Sequence, residues 1–390
     1  MPTKSSDLFL NDFLAMMVEL NASDLHIKSG APIVFRIDGR IVKSPYIVEN
    51  EKQARELIYS SLKETQIAKL EQELELDYAY ELRGVCRFRA NAFFQNGSVS
   101  ASFRTIKLRI PTIEELNLPT ICKEIATIPN GLILICGPTG CGKSTTLAAI
   151  IDYINHTRSS RIITIEDPIE YVYTDDLSMI CQREVGKDTK QFSTALRETL
   201  RQDPDVILVG EMRDLETIAL ALTAAETGHL VFATLHTQSA AKNIDRIIDV
   251  FPPEQQQQIR LQVSQTLRAV FSQTLVPRSS GAGRVPAVEI MLVNHAIANL
   301  VREQKTFQIK TVIQTSTRQG MRTMDQALGE LVARSEITLD EAGSRCENLE
   351  EVMEAIAKFK RGEMSQSRAD FSKLAREAET GNSLTRARKG

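Results

Sequence analysis

The sequence lacks several features that would place it in common functional classes. It has no tryptophan, and none of its six cysteines forms a C-x-x-C pair, which argues against a zinc ribbon and favours reduced thiols inside a cell. No apolar run approaches the about 18 residues that a membrane span requires. The formal net charge is only −3, so no overall basic field indicates binding to nucleic acid or anionic lipid. We therefore expect a cytoplasmic protein that binds no nucleic acid.

The length of 390 residues exceeds what one hydrophobic core usually organises. In the first part, Asp38-Gly39 and Asn96-Gly97 separate apolar runs and predict β-hairpins. From about residue 120 the pattern changes to alternating buried strands and amphipathic helices, including a helix over Glu254–Ala269, which predicts an α/β fold with a parallel sheet. The predicted divisions are a domain at 1–106, a linker at 107–119, a domain at 120–362 and a polar tail at 363–390.

The most informative stretch is a glycine-rich loop between an apolar strand and a helix. Leu132–Cys136 is continuously apolar, and Ser144–Asn155 has helical periodicity. The pattern G-x-x-x-x-G-K-S between them places backbone N–H groups and a helix N-terminus around phosphates, with Lys143 on the β- and γ-phosphates and Ser144 on Mg²⁺. The residues expected to contact ATP are Gly137, Pro138, Thr139, Gly140, Cys141, Gly142, Lys143, Ser144 and Thr145.

Two acidic residues follow later strands of the same predicted sheet. Glu211 comes after Val206–Val209, and in open parallel sheets ligands bind beyond such strand ends. Phosphoryl transfer to water requires a group that orients the water, and Glu211 is our candidate. The alternative interpretation is that Glu211 only forms an ion pair with Arg213 or Arg201.

Glu166 follows the strand Arg161–Ile165 and could assist the reaction through the metal or a water molecule. Asp167 and Glu170 are alternatives for this role. We expect Mg²⁺ to be held by Ser144, with Glu166 or Glu211 contributing directly or through water.

Basic side chains supply further candidates. His229 and His236 bracket an apolar strand and could sense the γ-phosphate, although a lone histidine is more often structural. In the N-terminal part, Arg89 and Arg104 share the polar face of a predicted sheet. A solvated outer face is the ordinary explanation of such arginines, but arginines supplied by a neighbouring subunit also accelerate phosphoryl transfer.

Five ordered segments resemble motifs of the secretion ATPases, which include the GspE proteins of type II secretion. The specific similarity is to the type IV pilus retraction ATPases of the PilT/PilU type, and it extends from residue 22 to about residue 345. The segments that resemble the Walker A, Asp-box, Walker B and His-box motifs are GPTGCGKSTTLAAI, ITIEDPIEY, QREVGKDT, LRQDPDVILVGEMRDLETI and TGHLVFATLHT.

The resemblance implies a PAS-like N-terminal α+β domain joined to a C-terminal RecA-like P-loop ATPase domain. It also implies ATP and Mg²⁺ as cofactors, and a homo-hexamer docked at the cytoplasmic face of the inner membrane on the pilus platform protein. The residues to which it assigns catalytic roles are Glu211 as the catalytic glutamate, Glu166 as the Asp-box acid, His229 and His236 of the His box, and Arg89 and Arg104 reaching across to nucleotide.

Two sequence features indicate which branch of the family the chain resembles. Pilus-extension ATPases usually carry a tetracysteine zinc element, which this chain lacks, so retraction is favoured. The AIRNLIRE helix of PilT proteins corresponds here to Ala296–Glu303, with Ala298 in place of an arginine. That difference, the segment TRQGMRTMDQAL and the extended tail favour a PilU-like accessory that works with a paralogous retraction ATPase.

The leading hypothesis is therefore a hexameric ATPase that powers pilus retraction and twitching motility. A second hypothesis within the superfamily is a type II secretion or pilus-assembly ATPase. A third, from another class, is a RecA-like nucleic-acid translocase, which would require a basic groove and strongly salt-dependent binding.

Overall fold

A computed structural model of the protein describes residues 9–362, except residues 38, 83, 107, 108, 238 and 282. The chain forms two compact units. The first holds the described residues up to Arg109 together with Glu170–Val172, and the second runs from Ile110 to Ile169 and resumes at Tyr173. The predicted tail at 363–390 and linker residues 107 and 108 lie outside the described residues.

The N-terminal unit is a six-stranded antiparallel sheet with three helices. The strand order is β3-β2-β1-β6-β5-β4. The elements are α1 (Leu10–Glu19), β1 (Asp24–Ile27), β2 (Ala31–Ile37), β3 (Arg40–Val48), α2 (Glu51–Tyr59), α3 (Glu64–Glu73), β4 (Glu75–Leu82), β5 (Cys86–Gln95) and β6 (Ser98–Ile106).

Both predicted hairpins are present in this sheet. Ile37 pairs with Arg40 across the β2–β3 turn, whose residue Asp38 lies outside the described residues. The β5–β6 turn places Asn96 at φ 50° and Gly97 at φ 78°, the left-handed conformation that short hairpin turns require. The alternation along β5 buries Phe88 beneath the sheet, so the polar positions of β5 face outward.

The C-terminal unit is built on a seven-stranded sheet in the order β13-β12-β7-β11-β10-β8-β9. Neighbouring strands are parallel except β12 and β13, which are antiparallel. The strands are β7 (Gly131–Cys136), β8 (Arg161–Glu166), β9 (Met179–Glu184), β10 (Val206–Val209), β11 (Leu230–Leu235), β12 (Leu267–Pro277) and β13 (Arg284–Leu292).

Helices cover and extend this sheet. They are α4 (Ile121–Ile125), α5 (Lys143–Thr157), α6 (Phe192–Thr199), α7 (Leu215–Glu226), α8 (Ala240–Asp249), α9 (Pro253–Thr266), α10 (His295–Arg302), α11 (Ile309–Thr315), α12 (Met324–Ala333), α13 (Leu339–Gly343) and α14 (Leu349–Lys360), with 3₁₀ turns at Thr306–Gln308 and Thr317–Gln319. Every residue of β7, β10 and β11 is buried, as expected for parallel strands covered on both faces. The predicted α/β class is therefore confirmed.

One predicted helix is wrong at its C-terminal end. The helix expected over Glu254–Ala269 ends at Thr266, and Leu267 begins the eleven-residue strand β12. Strand β12 pairs with the phosphate-loop strand β7 on one side and with β13 on the other. Pairing with strands on both sides thus determines the conformation of a segment whose apolar spacing is compatible with a helix.

Candidate nucleotide-binding site

The glycine-rich loop lies between the end of β7 and the start of α5, as predicted. Gly137 has φ 141°, and a Cβ atom there would lie 2.3 Å from the backbone oxygen of Gln273 and 2.7 Å from Cys141 Sγ. Gly142, directly before α5, has φ 90°. Both positions therefore need glycine, and they give the loop the tight path that allows its backbone to curl around a phosphate group.

Lys143 is the first residue of α5 and folds back over the loop. Its Nζ donates hydrogen bonds to the carbonyl oxygens of Gly137, at 2.8 Å, and Pro138, at 3.2 Å. These contacts hold the ammonium group at the mouth of the loop, and Ser144 follows in the first turn of the helix. A cation and a helix N-terminus at one place form an anion-binding site.

A buried glutamine that was not predicted from the sequence forms hydrogen bonds with the loop and with the helix that follows it. Gln273 of β12 donates from Nε2 to the carbonyl oxygen of Cys141 at 2.7 Å. Its Oε1 accepts from Thr146 Oγ1 at 2.8 Å. The only signal in the sequence was an amide side chain within a segment that mixes apolar residues with Arg268, Ser272 and Thr274. Burial raises the pKa of the Cys141 thiol, so this sulfur stays protonated near neutral pH.

Glu211 lies just beyond β10 and is held by two basic side chains. Its Oε2 is 2.6 Å from Arg213 Nη2, and its Oε1 is 2.9 Å from His236 Nε2. Burial opposes ionisation, but the hydrogen bond from Arg213 and the charges of His236 and Lys143 outweigh it, so the pKa of Glu211 is lowered. Each carboxylate oxygen can accept a second hydrogen bond, so the ion pair with Arg213 is compatible with orienting a water molecule.

Glu166 ends β8, the strand next to β10. Its Oε1 accepts hydrogen bonds from Thr164 Oγ1 at 2.6 Å and Gln182 Nε2 at 3.3 Å. The backbone N–H of Gly210 donates to the Ile165 oxygen at 2.8 Å. The chain segments that carry Glu166 and Glu211 therefore leave the sheet side by side. Glu170, one alternative to Glu166, belongs to the N-terminal unit.

The two histidines occupy opposite ends of β11. His236 follows the carboxyl end of the strand and contacts Glu211. His229 precedes the strand, where its carbonyl oxygen accepts from Gly131 N at 3.0 Å and its Nδ1 lies 2.9 Å from the Ala224 oxygen. Six residues of strand separate it from the loop edge, about 20 Å. Within one chain the structure therefore brings His236 and not His229 to the loop edge, and a role of His229 at a nucleotide stays a prediction.

Arg89 and Arg104 lie in the N-terminal unit, directly opposite each other on β5 and β6. Arg104 donates from Nε to Asp24 Oδ1 at 2.8 Å, and Arg89 Nη2 is 3.8 Å from Asp77 Oδ2. Like charges on opposite strands repel, and the two aspartates offset that repulsion. The Arg104 side chain nevertheless stays 68% exposed, so its charge is offered to solvent.

The donors at the loop suit a hard divalent cation. Ser144 supplies a hydroxyl, and Glu166 and Glu211 supply carboxylates at neighbouring strand ends. Within the described residues, no group of three or more His, Cys, Asp or Glu side chains is arranged to hold a metal ion. The hydroxyl and carboxylate oxygens named above fit Mg²⁺, which is usually bound through one or two protein oxygens together with substrate phosphates and water. When bound, Mg²⁺ would neutralise charge on the phosphates.

Comparison with known proteins agrees with this geometry. The model of the family described as type II/IV secretion system protein matches residues 4–353. The chain belongs to this family. The type IV pilus retraction ATPase PilT of Pseudomonas aeruginosa is 50% identical over 333 residues, which cover 85% of this chain and 96% of PilT. The type IV pilus ATPase PilU of the same organism is 42% identical over 329 residues, covering 84% of this chain and 86% of PilU.

A solved structure extends the comparison of this secretion-family chain. The crystal structure of the pilus retraction motor PilT with bound ADP matches at a TM-score of 0.83 and 46% identity, covering 89% of this chain and 100% of that one. The predicted resemblance to retraction ATPases is therefore confirmed, and so are the ATPase class and nucleotide binding. Identity is higher to PilT than to PilU, so the PilU-like assignment based on Ala298 stays a prediction. Among the described residues, no helix is both apolar and long enough to cross a membrane.

Proposed function

We propose that this protein hydrolyses MgATP as one subunit of a hexameric ring that powers the retraction of type IV pili. The observation that carries the proposal is the joint position of the phosphate loop and Glu211 at one edge of the parallel sheet, in a chain 50% identical to a pilus retraction ATPase. Strands β7, β11 and β10 are parallel neighbours, so Lys143, after β7, and Glu211, after β10, follow strand ends at the same edge of the sheet.

In this proposal, the loop residues and Lys143 bind the phosphates, and Ser144 contributes its hydroxyl to Mg²⁺. Glu211 accepts a hydrogen bond from the attacking water, and its low pKa keeps it ionised and able to do so at neutral pH. With Mg²⁺ bound, Glu166 on the neighbouring strand would hold a second water molecule or a water of the metal. His236 fixes the orientation of the Glu211 carboxylate through the contact at 2.9 Å.

Arg89 and Arg104 complete the site of a neighbouring subunit. The supporting observation is that Arg104 keeps its charge largely in solvent although a buried aspartate holds its Nε. A guanidinium with one side fixed and the other exposed is suited to bidentate recognition of phosphate. His229, which the structure places away from the loop of its own chain, fits a contact between subunits better than a contact with its own nucleotide.

The ring works in the cytoplasm, docked peripherally on the inner-membrane platform protein of the pilus. The proposal includes a paralogous retraction ATPase as an additional partner, because Ala298 stands where the AIRNLIRE helix of PilT proteins has an arginine. The chain would then act as an accessory motor in the sense of PilU.

The direct test is Glu211→Gln. This change removes the negative charge but keeps the shape, so we expect nucleotide binding to persist while turnover falls by about 10²–10⁴-fold. ATP hydrolysis and the affinity for ADP would both be measured. Light scattering of the variant with MgATP should give a mass near six times 43.5 kDa.

A matched control is Glu216→Gln, which changes an exposed glutamate that pairs with Arg197 on the neighbouring helix. Wild-type turnover by Glu211→Gln would remove Glu211 from the catalytic role. Titration of the wild-type ATPase with DNA tests the other class of function, because DNA-stimulated hydrolysis that weakens steeply with salt would favour a translocase.

A further inference from the structure

Gln273 contacts three positions that are far from it in sequence, two in the phosphate loop and one in the helix that follows it. Its backbone oxygen lies against Gly137 at the start of the loop, where an added Cβ would approach it to 2.3 Å. Its side-chain nitrogen bonds the carbonyl oxygen of Cys141 in the middle of the loop, 132 positions away. Its side-chain oxygen bonds the hydroxyl of Thr146 in the first turns of α5.

The chemistry of the partners fixes the orientation of this amide. A carbonyl oxygen can only accept, so the side of the Gln273 amide that faces Cys141 must be its NH₂ group. The Gln273 oxygen then faces Thr146, whose hydroxyl donates. Gln273 and Thr146 are only 3% and 2% exposed, so neither bond is readily replaced by one to water.

These contacts act on the part of the loop that binds phosphate. A loop of this kind binds anions because its N–H groups point inward, and each inward N–H group requires neighbouring carbonyl groups to point elsewhere. The hydrogen bond from Gln273 holds the Cys141 carbonyl group against β12. The bond to Thr146 ties the start of α5, with Lys143, to the same strand.

We propose that Gln273 is a positioning residue that holds the phosphate loop in its nucleotide-binding conformation. It sets the affinity for the phosphates of ADP and ATP, and it leaves the rate of the chemical step largely unchanged. The inference rests on the nucleotide site proposed above and adds a residue that neither the loop motif nor the strand-end acids include.

The main test is Gln273→Met, which keeps the length of the side chain and removes both hydrogen-bonding groups. We expect the dissociation constant for ADP and the KM for ATP to rise by roughly tenfold, because one buried carbonyl group and one hydroxyl group lose their partner. The value of kcat at saturating ATP should stay within about twofold of the wild type. Melting curves without nucleotide would establish that the variant is folded.

Thr146 provides a second, milder set of variants. Thr146→Val removes one bond of the pair without changing the shape, so its effect on affinity should have the same direction and be smaller. Thr146→Ser keeps the hydroxyl group and should bind ADP like the wild type. In the double variant with Gln273→Met, the loss from Thr146→Val should largely disappear, because the bond that it removes is already absent.

The matched control is Ser272→Ala, the preceding residue on the same strand. The Ser272 side chain is equally buried, and its Oγ has no hydrogen-bond partner among the described residues, so ADP binding should not change. If folded Gln273→Met and Thr146→Val both bind ADP like the wild type, the inference is wrong. A drop in kcat without a change in affinity would also overturn it. Failure of the wild type itself to bind nucleotide would instead contradict the proposed function.

Discussion

The two units of the chain hold their candidate functional groups in different ways. At the phosphate loop, polar side chains are buried and paired inside the unit, and the side chain of Glu211 is only 17% exposed. On the antiparallel sheet, Arg89 and Arg104 remain 44% and 68% exposed, each with one aspartate beside it. The difference follows from the architecture, because parallel strand ends gather side chains into a crevice whereas an open antiparallel face presents them to the surroundings.

This difference has a consequence for function. A phosphate site whose groups are fixed within one unit can bind nucleotide without help. Arg89 and Arg104 are each held by one aspartate and keep much of their side chain in solvent, so they can bind a molecule from outside the unit. We propose that this molecule is the nucleotide bound to a neighbouring subunit.

The largest expected effect is that of Arg104→Ala on turnover. Arginines supplied in trans accelerate phosphoryl transfer by about 10³–10⁵-fold, so kcat should fall at least about 10³-fold while ADP still binds. Steady-state hydrolysis and ADP titration would measure the two effects separately. Arg40→Ala, an exposed arginine on β3 of the same sheet, is the control and should be neutral. Undiminished hydrolysis by Arg104→Ala would mean that this face is only a solvated surface.

A smaller effect is expected from substitutions in the separate hydrophobic cores of the two units. Phe88 is fully buried in the N-terminal core, and Phe88→Ala should destabilise that unit by about 3–5 kcal/mol. ADP affinity should change little, because the phosphate loop belongs to the other core. Phe232→Ala, in the core beneath the loop, should lower both stability and affinity. Calorimetry with and without ADP would measure the stability and the ADP affinity of both variants. An equal loss of ADP affinity in Phe88→Ala and Phe232→Ala would show that the two units do not act separately.

The smallest effect concerns pH. Arg213 helps to lower the pKa of Glu211, so Arg213→Ala should raise that pKa, because the opposing influence of burial remains. A depressed pKa keeps the carboxylate ionised until the pH falls through it, so the acidic limb of the pH–kcat profile should move to higher pH in the variant. Activity near neutral pH should change little. Arg201→Ala is the control for a general loss of positive charge, and an unmoved acidic limb would separate Arg213 from Glu211.

The sequence was sufficient to predict the phosphate loop because fixed spacing, a preceding apolar strand and a following helix agree with one another. It was not sufficient for β12, where Leu267, Val270 and Phe271 have helical spacing and follow a glutamine-rich helix without a break. The pairing of β12 with β7 on one side and β13 on the other makes it a strand. The role of Gln273 depends on that pairing, so it could not be predicted either.

The Asp24–Arg104 pair and the two histidines also differ in how far the sequence predicts their positions. Asp24 and Arg104 meet because β1 lies next to β6, a pairing between segments 80 residues apart that no hairpin signal predicts. The position of His229 could have been derived, since a residue that precedes a parallel strand lies at the edge opposite the ligand site. His236 follows the same strand and contacts Glu211, and its role in catalysis stays a prediction.

The most direct test of the account is ATP hydrolysis by mixed rings of two inactive variants, Arg104→Ala and Glu211→Gln. An Arg104→Ala subunit keeps Glu211, and a Glu211→Gln subunit keeps Arg104. If Arg104 acts in trans, an interface at which the first subunit supplies Glu211 and the second supplies Arg104 has a complete site. In an equal mixture about one quarter of the interfaces in a cyclic ring are of this kind, so activity should rise clearly above that of either variant alone. If the variants assemble into mixed rings and the mixture stays as inactive as its components, the nucleotide site is not shared between subunits.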